Sequence, residues 1–296
     1  MEAERLQRAS SPALDEILGQ QFNVLDRGFI RVVDYMGNDS SIVQAARVSY
    51  GKGTKTISDD EGLIRYLMRH DHTSPFEMCD IKLHVKVPMD AWRQWIRHRT
   101  ASVNEISSRY SEVKDERQQT LPDAWRLQSK DNKQGSKGYL EQSLGENLTI
   151  NELELQQHAQ QVYQERIDLG VAKEQARKDL PLSTYTEAYW EIDLKNLIHF
   201  LTLRMESHAQ LEIRSYASLI GEEIVSRWVP LTWQAFKDYR LNAIKLSAQE
   251  IEIISKLIDP NRVSEEYLNS LAQQQGLTTK VERAEFIKKV RRITGE

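Results

Sequence analysis

Two rhythms of apolar and polar positions alternate along this chain, and the places where one gives way to the other predict its elements. Phe29-Ile30-Arg31-Val32-Val33-Asp34-Tyr35 is rich in β-formers and runs into the turn cluster Met36-Gly37-Asn38-Asp39, which predicts a first strand. Helical spacing follows. Ser40 or Ser41 caps a segment through Ile42, Ala45, Ala46 and Val48 that Gly51-Lys52-Gly53 stops; no Walker pattern surrounds those glycines to make them a phosphate cradle. Asp59 or Asp60 opens a second helix with Leu63, Ile64, Leu67 and Met68 at helical intervals. From Glu77 to Val87 the period drops to two. Cys79, Ile81, Leu83, Val85 and Val87 share one face, opposite Asp80, Lys82, His84 and Lys86. Pro88 then opens a helix through Ala91, Trp92, Trp95 and Ile96 that delivers Gln94 and Arg97 to the segment beyond it.

Residues 183–193, with three aromatics among β-formers, predict another strand, and 194–225 reads as one strong helix. Leu197, Leu201, Arg204, His208 and Leu211 form one stripe of that helix, and Ile198, Met205, Ala209, Ile213, Tyr216 and Ile220 a second. Apolar on two stripes, it is expected to be mostly buried, centrally or in a subunit contact. The flanking regions are weaker. Met1 to Gln21 reads as a polar arm with at most one short helical stretch. From 111 to 170 the composition shifts, and 129–138 is charged, small and nearly free of apolar side chains, the pattern of a mobile surface insertion. A polar helix is expected over 151–169. Short helices near 248–257, 264–274 and 281–292 make an accessory extension.

Composition narrows the class. At 296 residues, with 40% hydrophobic and 28% charged residues, the chain can bury a sizeable core as an ordinary soluble globular protein. A net charge of −4 argues against a general nucleic-acid binder. No apolar run is long enough to cross a bilayer, so no membrane partner and a cytoplasmic location are expected. Cys79 is the single cysteine, which rules out an intrachain disulfide and a cysteine-based zinc site. On an apolar strand face it reads as a buried structural thiol, because reactive thiols occupy electropositive, accessible places.

The stretch that follows neither rhythm carries the chemistry. Residues 97–110 hold Arg97, His98, Arg99 and Arg109 with Glu105, Asn104, Ser107 and Ser108, while Ala101, Val103 and Ile106 keep no period. Planar guanidinium forks match phosphate, carboxylate or carbonyl oxygens, so a loop holding an anion is expected, with Glu105 and the serines orienting a sugar or base. A solvated loop or a nucleic-acid contact patch would use the same residue types. Three further features stand out. His70-Asp71-His72 invites a metal, but the spacing lacks an i,i+4 pair and no further ligand cluster is near, so no metal is expected. Arg177 precedes Pro181 at a helix end, where a cation also complements the dipole. Arg204 lies on a surface expected to be buried, where losing a partner costs on the order of 3–5 kcal/mol. It is therefore a sharp site candidate, unless it pairs internally with Glu223 or Asp193.

The pattern Arg-His-Arg-x-x-Ser-x-Asn-Glu-x-Ser-x-Arg-Tyr over 97–110 resembles the signature loop of the flavin-dependent thymidylate synthases, with every fixed position filled. His72-x-Ser74-Pro75-Phe76-Glu77 is similar to the family's flavin-contacting segment. Arg177 with Leu180-Pro181, Trp190, Leu197, His199-Phe200-Leu201, Leu203-Arg204, His208-Ala209 and Glu212 follow in the family's order, and Asp193 stands where the family carries asparagine. The resemblance runs from about residue 30 to 239. It implies an α+β fold with helices packed on a small antiparallel sheet, a catalytic domain over 1–240 and a helical extension over 241–296. A dinucleotide-binding GxGxxG is absent, which disfavours an ordinary Rossmann oxidoreductase.

The implied activity is methylation of dUMP to dTMP, with 5,10-methylenetetrahydrofolate as one-carbon donor and FAD, recharged by NADPH, as reductant, in a homotetramer with shared sites. The resemblance puts His72, Ser74, Glu77, Arg97, His98, Arg99, Glu105, Asp193 and His199 at the flavin. It puts Gln94, Arg97, Glu105, Ser107, Ser108, Arg109, Arg177 and Arg204 at the nucleotide, with Arg204 activating the base. No enzyme nucleophile is required: Cys79 is on the core face, and Ser107 has no adjacent base to activate it. The competing reading is an RNA-binding module built on Arg97–Arg109, with the lysines of 129–138 as an auxiliary patch.

Overall fold

Alternation over residues 80–88 makes the central strand of the molecule. The computed structural model describes residues 8–48, 57–113, 116–130, 133–258, 264–277 and 279–294. Its strands are β1 (Gln21–Val24), β2 (Gly28–Met36), β3 (Asp80–Pro88), β4 (Ser102–Glu105), β5 (Arg126–Gln128), β6 (Ser136–Tyr139) and β7 (Tyr185–Asp193). Five of these form one antiparallel sheet in the order β1-β2-β3-β7-β4, and β5 and β6 form a separate hairpin. Ile81, Leu83, Val85 and Val87 are fully buried on one face of β3, and Cys79, just before it, is equally buried. On the other face the row Arg31, His84, Tyr189 crosses three strands, with His84 edge-on to Tyr189 at 5.0 Å between centroids.

The helices in chain order are α1 (Pro12–Asp15), α2 (Asp39–Val48), α3 (Ile57–Arg69), α4 (Met89–Trp95), α5 (Gln142–Asp168), α6 (Lys173–Ala176), α7 (Leu194–Arg204), α8 (Leu211–Leu219), α9 (Ser226–Trp228), α10 (Pro230–Phe236), α11 (Ala248–Ser255), α12 (Glu265–Gln274) and α13 (Lys280–Thr294). A 3₁₀ turn spans Ser74–Met78, and π-helical turns span Ile220–Val225 and Lys237–Leu241. The α+β class expected from the sequence is the class observed. The core lies between the apolar sheet face and α4, α7 and α8, where Trp95 meets Trp92, Trp190, Phe200 and Tyr216 at centroid distances of 5.0–5.8 Å. Gly28 lets Tyr216 in: an added Cβ would fall 1.8 Å from its hydroxyl, which donates to the Lys86 carbonyl at 2.6 Å.

Several elements differ from the sequence reading, each for a local reason. The presumed arm, Met1 to Gln21, carries α1 and leads into β1; its Leu14 and Ile17, with Val24 of β1, are buried in the common core. Asn38, rather than either serine, caps α2, its side-chain oxygen accepting from the Ser40 and Ser41 amides. The glycine stop at 51–53 lies outside the described residues. The helix expected over 194–225 breaks after Arg204. Glu206 accepts from the His208 amide and the Ser207 hydroxyl, and Gln210 donates to Asp90, so side chains take over from helical backbone bonds. In the 111–170 segment the helix starts at Gln142 rather than at 151, and its Tyr163 is buried with its hydroxyl accepting from the Val113 amide. The β5–β6 hairpin is tied to α8 by Arg126 and Glu212 at 2.7 Å. Among the described residues no helix is long and apolar enough to cross a membrane.

Candidate active site

Two regions collect the chemistry-bearing side chains. The first is a cleft of about 720 Å³ between β4 with the segment after it, β7, and the stretch 177–182. Its geometry follows from the sheet edge. Backbone pairing of Ser102–Glu105 to Glu191–Ala188 holds the loop straight, and the Ile106 amide adds a bond to the Glu187 carbonyl. The aperiodic pattern of 97–110 predicts an irregular loop, whereas Ser102–Glu105 within it is an edge strand with all four residues exposed. Glu105 accepts from the Thr186 hydroxyl at 2.6 Å, and Ser107 and Ser108 follow on the same wall. Arg177 donates from Nη1 to the Ser108 hydroxyl, joining the two walls. Arg109, next in sequence, is exposed and does not line the cleft; its Nε lies 3.3 Å from Glu174. At the floor, Lys86 is only 8% exposed and pairs with Glu116.

The second region runs along α7. At its start Asp193 caps the helix, accepting from the Asn196 amide at 2.9 Å and its side chain at 2.6 Å. A carboxylate in this position therefore has a structural task that an asparagine oxygen would also meet. Lys195, Asn196, His199 and Thr202, spaced for one helix face, line a second cleft of about 520 Å³, with Asp71, Thr73, Thr100, Arg240 and Lys245 opposite. Glu77 reaches this group at 3.8 Å from Lys195 Nζ, while His72 and Ser74 are exposed beside it. At the other end of α7, Arg204 donates from Nε to His98 Nε2 at 3.0 Å and from Nη2 to the Gln94 carbonyl at 3.2 Å. His98 packs edge-on against Phe200 at 4.9 Å and stands 5.9 Å from His199. Among the described residues neither Glu223 nor Asp193 pairs with Arg204, so the internal salt bridge weighed from the sequence is not formed; Glu223 binds Arg227 instead.

Electrostatics separate the roles. Burial, then the Arg204 and His199 charges, push His98 down to about 4, so at neutral pH it is a neutral imidazole accepting at Nε2. Burial also lowers Arg204, whose guanidinium nevertheless stays charged. Cys79 is pushed up to about 12 by burial and then by Asp39 and Asp80, which leaves an inert thiol. Among the described residues no group of three His, Cys, Asp or Glu is placed to hold a metal ion.

The chain thus groups Glu105, Ser107, Ser108 and Arg177 in one cleft, and Glu77, His98, Asp193, His199, Gln94 and Arg204 along α7. Arg97 and Arg99 are exposed and bind no protein group among the described residues. Lys86, Lys195, Arg240 and Lys245 were not singled out from the sequence. For Lys195 the helical spacing to His199 was the available signal; Lys86 lay on the strand face taken as polar.

The donor set of the α7 cleft fits a flavin dinucleotide. Lys195, Arg240 and Lys245 suit a diphosphate, Asn196, Thr202 and Thr73 supply hydrogen bonds, and Leu67, Met68, Phe76 and Ile198 supply apolar surface. Comparison with known proteins gives the family. The sequence profile of a family described as "Thymidylate synthase complementing protein" matches residues 31–231. The flavin-dependent thymidylate synthase of Wolbachia pipientis wMel is 50% identical over 266 residues, covering 90% of this chain and 93% of that one. That of Rickettsia conorii (strain ATCC VR-613 / Malish 7) is 49% identical over 275 residues, covering 88% and 92%. Among solved structures, the UMP/dUMP methylase PolB from Streptomyces cacaoi, bound with 5-Br dUMP, superposes with a TM-score of 0.66 at 30% identity, covering 74% of this chain and 98% of that one.

Proposed function

The chain belongs to the flavin-dependent thymidylate synthase family, and from that membership we propose that it methylates dUMP to dTMP, taking the one-carbon unit from 5,10-methylenetetrahydrofolate and reducing equivalents from FAD recharged by NADPH. The observation that carries this reading is the cleft in which Arg177 and Ser108 bridge two walls beside Ser107 and Glu105. Such a set takes a nucleoside monophosphate. Arg177, with the serine hydroxyls and the neighbouring Arg109, meets the phosphate, and Glu105 accepts from the sugar or base. The dUMP analogue held by the Streptomyces methylase supports the same ligand class.

Arg204 provides the electrostatic work. Its Nε and Nη2 are occupied by His98 and the Gln94 carbonyl, Nη1 has no partner among the described residues, and Arg204 lines neither cleft of its own chain, so it is an oriented donor for the pyrimidine of a nucleotide held by a neighbouring copy. Charge developing on the ring is stabilised by a cation that needs no reorganisation. Bound flavin supplies the hydride. Lys195, Asn196, His199 and Thr202, with His72, Ser74, Glu77 and Asp193 nearby and His98 behind, would hold it, and Arg97 and Arg99 offer further forks. Cys79 takes no part. The exposure of Arg97, Arg99, His72 and Ser74 on one chain supports an assembly in which neighbouring copies close the sites, which we propose to be a homotetramer working in the cytoplasm.

The decisive experiment mixes anaerobically reduced protein with dUMP and methylenetetrahydrofolate and analyses the products. Formation of dTMP by a yellow protein is expected. A colourless protein that takes up no flavin on titration and shifts RNA would replace this reading with the nucleic-acid module.

A further inference from the structure

A buried charge network joins the C-terminal helices to the cofactor side of the molecule. Glu282, on α13, is 3% exposed. Its carboxylate meets Arg65 of α3 at 2.9 Å, lies 3.7 Å from Arg69 and accepts from the Tyr239 hydroxyl. One turn along α13, Glu285 accepts from Arg69 Nε at 2.6 Å and lies 3.1 Å from His70 Nε2. Arg65 also binds Asp238 at 2.6 Å, and both arginines stack over the Tyr239 ring, at 5.0 and 5.6 Å. The next residue, Arg240, donates to the Met68 carbonyl at 2.8 Å and to Asp71, and itself lines the α7 cleft.

These contacts converge on one turn. Asp71, just past α3, holds a left-handed φ of +57°, which aspartate and asparagine take most readily after glycine, and the His72 amide closes the helix end on the Leu67 carbonyl at 3.0 Å. Arg240 grips Asp71 from one side, and the Glu285 pair fixes His70 on the other. Immediately beyond lie His72, Thr73 and Ser74. Long charged side chains buried in this way are poor sources of net stability, since desolvation offsets much of their attraction, but they impose one geometry.

We propose that α13 is a clamp on the cofactor cleft: Glu282 and Glu285 act as positioning residues that set the end of α3, the Asp71 turn and Arg240, so that docking of the C-terminal helices and binding of flavin reinforce each other. The coupling rests on the reading that flavin occupies the α7 cleft. It is reciprocal by thermodynamic necessity, so flavin must steady α13 as much as α13 steadies the flavin site.

The test uses full-length protein and FAD. Dissociation constants are read from flavin fluorescence quenching, and amide exchange in 280–294 is followed with and without FAD, for the unaltered chain, Glu285→Gln, Glu282→Gln and Glu282→Asp, with His199→Ala and Lys195→Ala as markers of the cleft. Glu285→Gln, at a carboxylate 25% exposed against 3% for Glu282, is the variant least prone to misfold. The clamp predicts that Glu285→Gln weakens FAD by about 5- to 20-fold, within the usual range of coupling between sites, and that FAD slows exchange in α13, which does not line the cleft. A merely structural role would lower the melting temperature without making exchange in α13 respond to FAD. Wild-type FAD affinity in Glu285→Gln, with His199→Ala and Lys195→Ala impaired, overturns the clamp and leaves the flavin site standing. Unchanged affinity in all four altered sites removes the cleft assignment, and the clamp with it.

Discussion

Arg204 Nε lies 3.0 Å from Nε2 of His98, and the donor in that bond can only be the guanidinium. The contact therefore fixes both the tautomer of the imidazole and the aim of the cation. Arg204→Ala is expected to lower thymidylate formation by about 10²–10³-fold, the usual effect of removing an oriented transition-state donor, while flavin stays bound. Arg204→Lys should not restore it, because one ammonium cannot reach His98 and the Gln94 carbonyl together while presenting a planar donor. Turnover and flavin stoichiometry measured on the same preparations decide the matter, and undiminished turnover removes the assignment.

The same contact predicts a pH dependence. His98 is depressed in the folded chain to about 4 from an ordinary value of 6.5, so between those values the unfolded chain binds a proton that the folded chain refuses. Its contribution to stability is complete above pH 6.5, falls as the pH drops toward 4 and is level below that. Urea melts of wild type and His98→Asn should show a stability difference that shrinks over this window. A difference constant from pH 7 to pH 4 would sink the argument.

Arg177 is expected to act on binding rather than turnover. Arg177→Ala should raise the KM for dUMP by about 10- to 100-fold, the loss of hydrogen bonds to a charged group, with kcat changed far less. Ser108→Ala, which removes a neutral hydroxyl from the same bridge, should have the smaller effect. Steady-state kinetics at varied dUMP separate the two parameters, and a fall confined to kcat would remove the phosphate role.

Cys79→Ala should retain activity. The thiol has no exposure and is pushed up to about 12, so it offers no nucleophile. Truncating it is expected to lower stability by roughly 1 kcal/mol, ordinary for a small core change. Loss of turnover in a variant with a normal melting curve would return the cysteine to the mechanism.

How far the sequence could be read followed from whether a residue's role left a local trace. β3 announced itself because burial on one face imposes alternation, and Cys79 with Ile81, Leu83, Val85 and Val87 all reach full burial. β4 left no such trace. All four of its residues are exposed, and its partner β7 lies more than 80 residues away, so its residues are free of the alternation that burial enforces. The break after Arg204 was hidden because neither glycine nor proline makes it; Glu206, Gln210 and the distant Asp90 do. At the site, Arg177, Arg204 and the residues of 97–110 were legible as clustered or misplaced charge. Arg240 and Lys245 were not, since a cation outside any motif looks like any other until the fold sets it across a cleft from Lys195.

The sheet order also carries a schedule. β7 lies between β3 and β4, so β4 has no strand to join until residues 185–193 exist. On a ribosome, β1, β2 and β3 can zip together early, but the nascent chain must lengthen by roughly another hundred residues before the arginine-rich stretch has a template, and closing so long a loop is slow. The β4 edge is thus the last part of the sheet to be born, and a chain stalled before β7 would carry every residue of its signature with nothing to line them up.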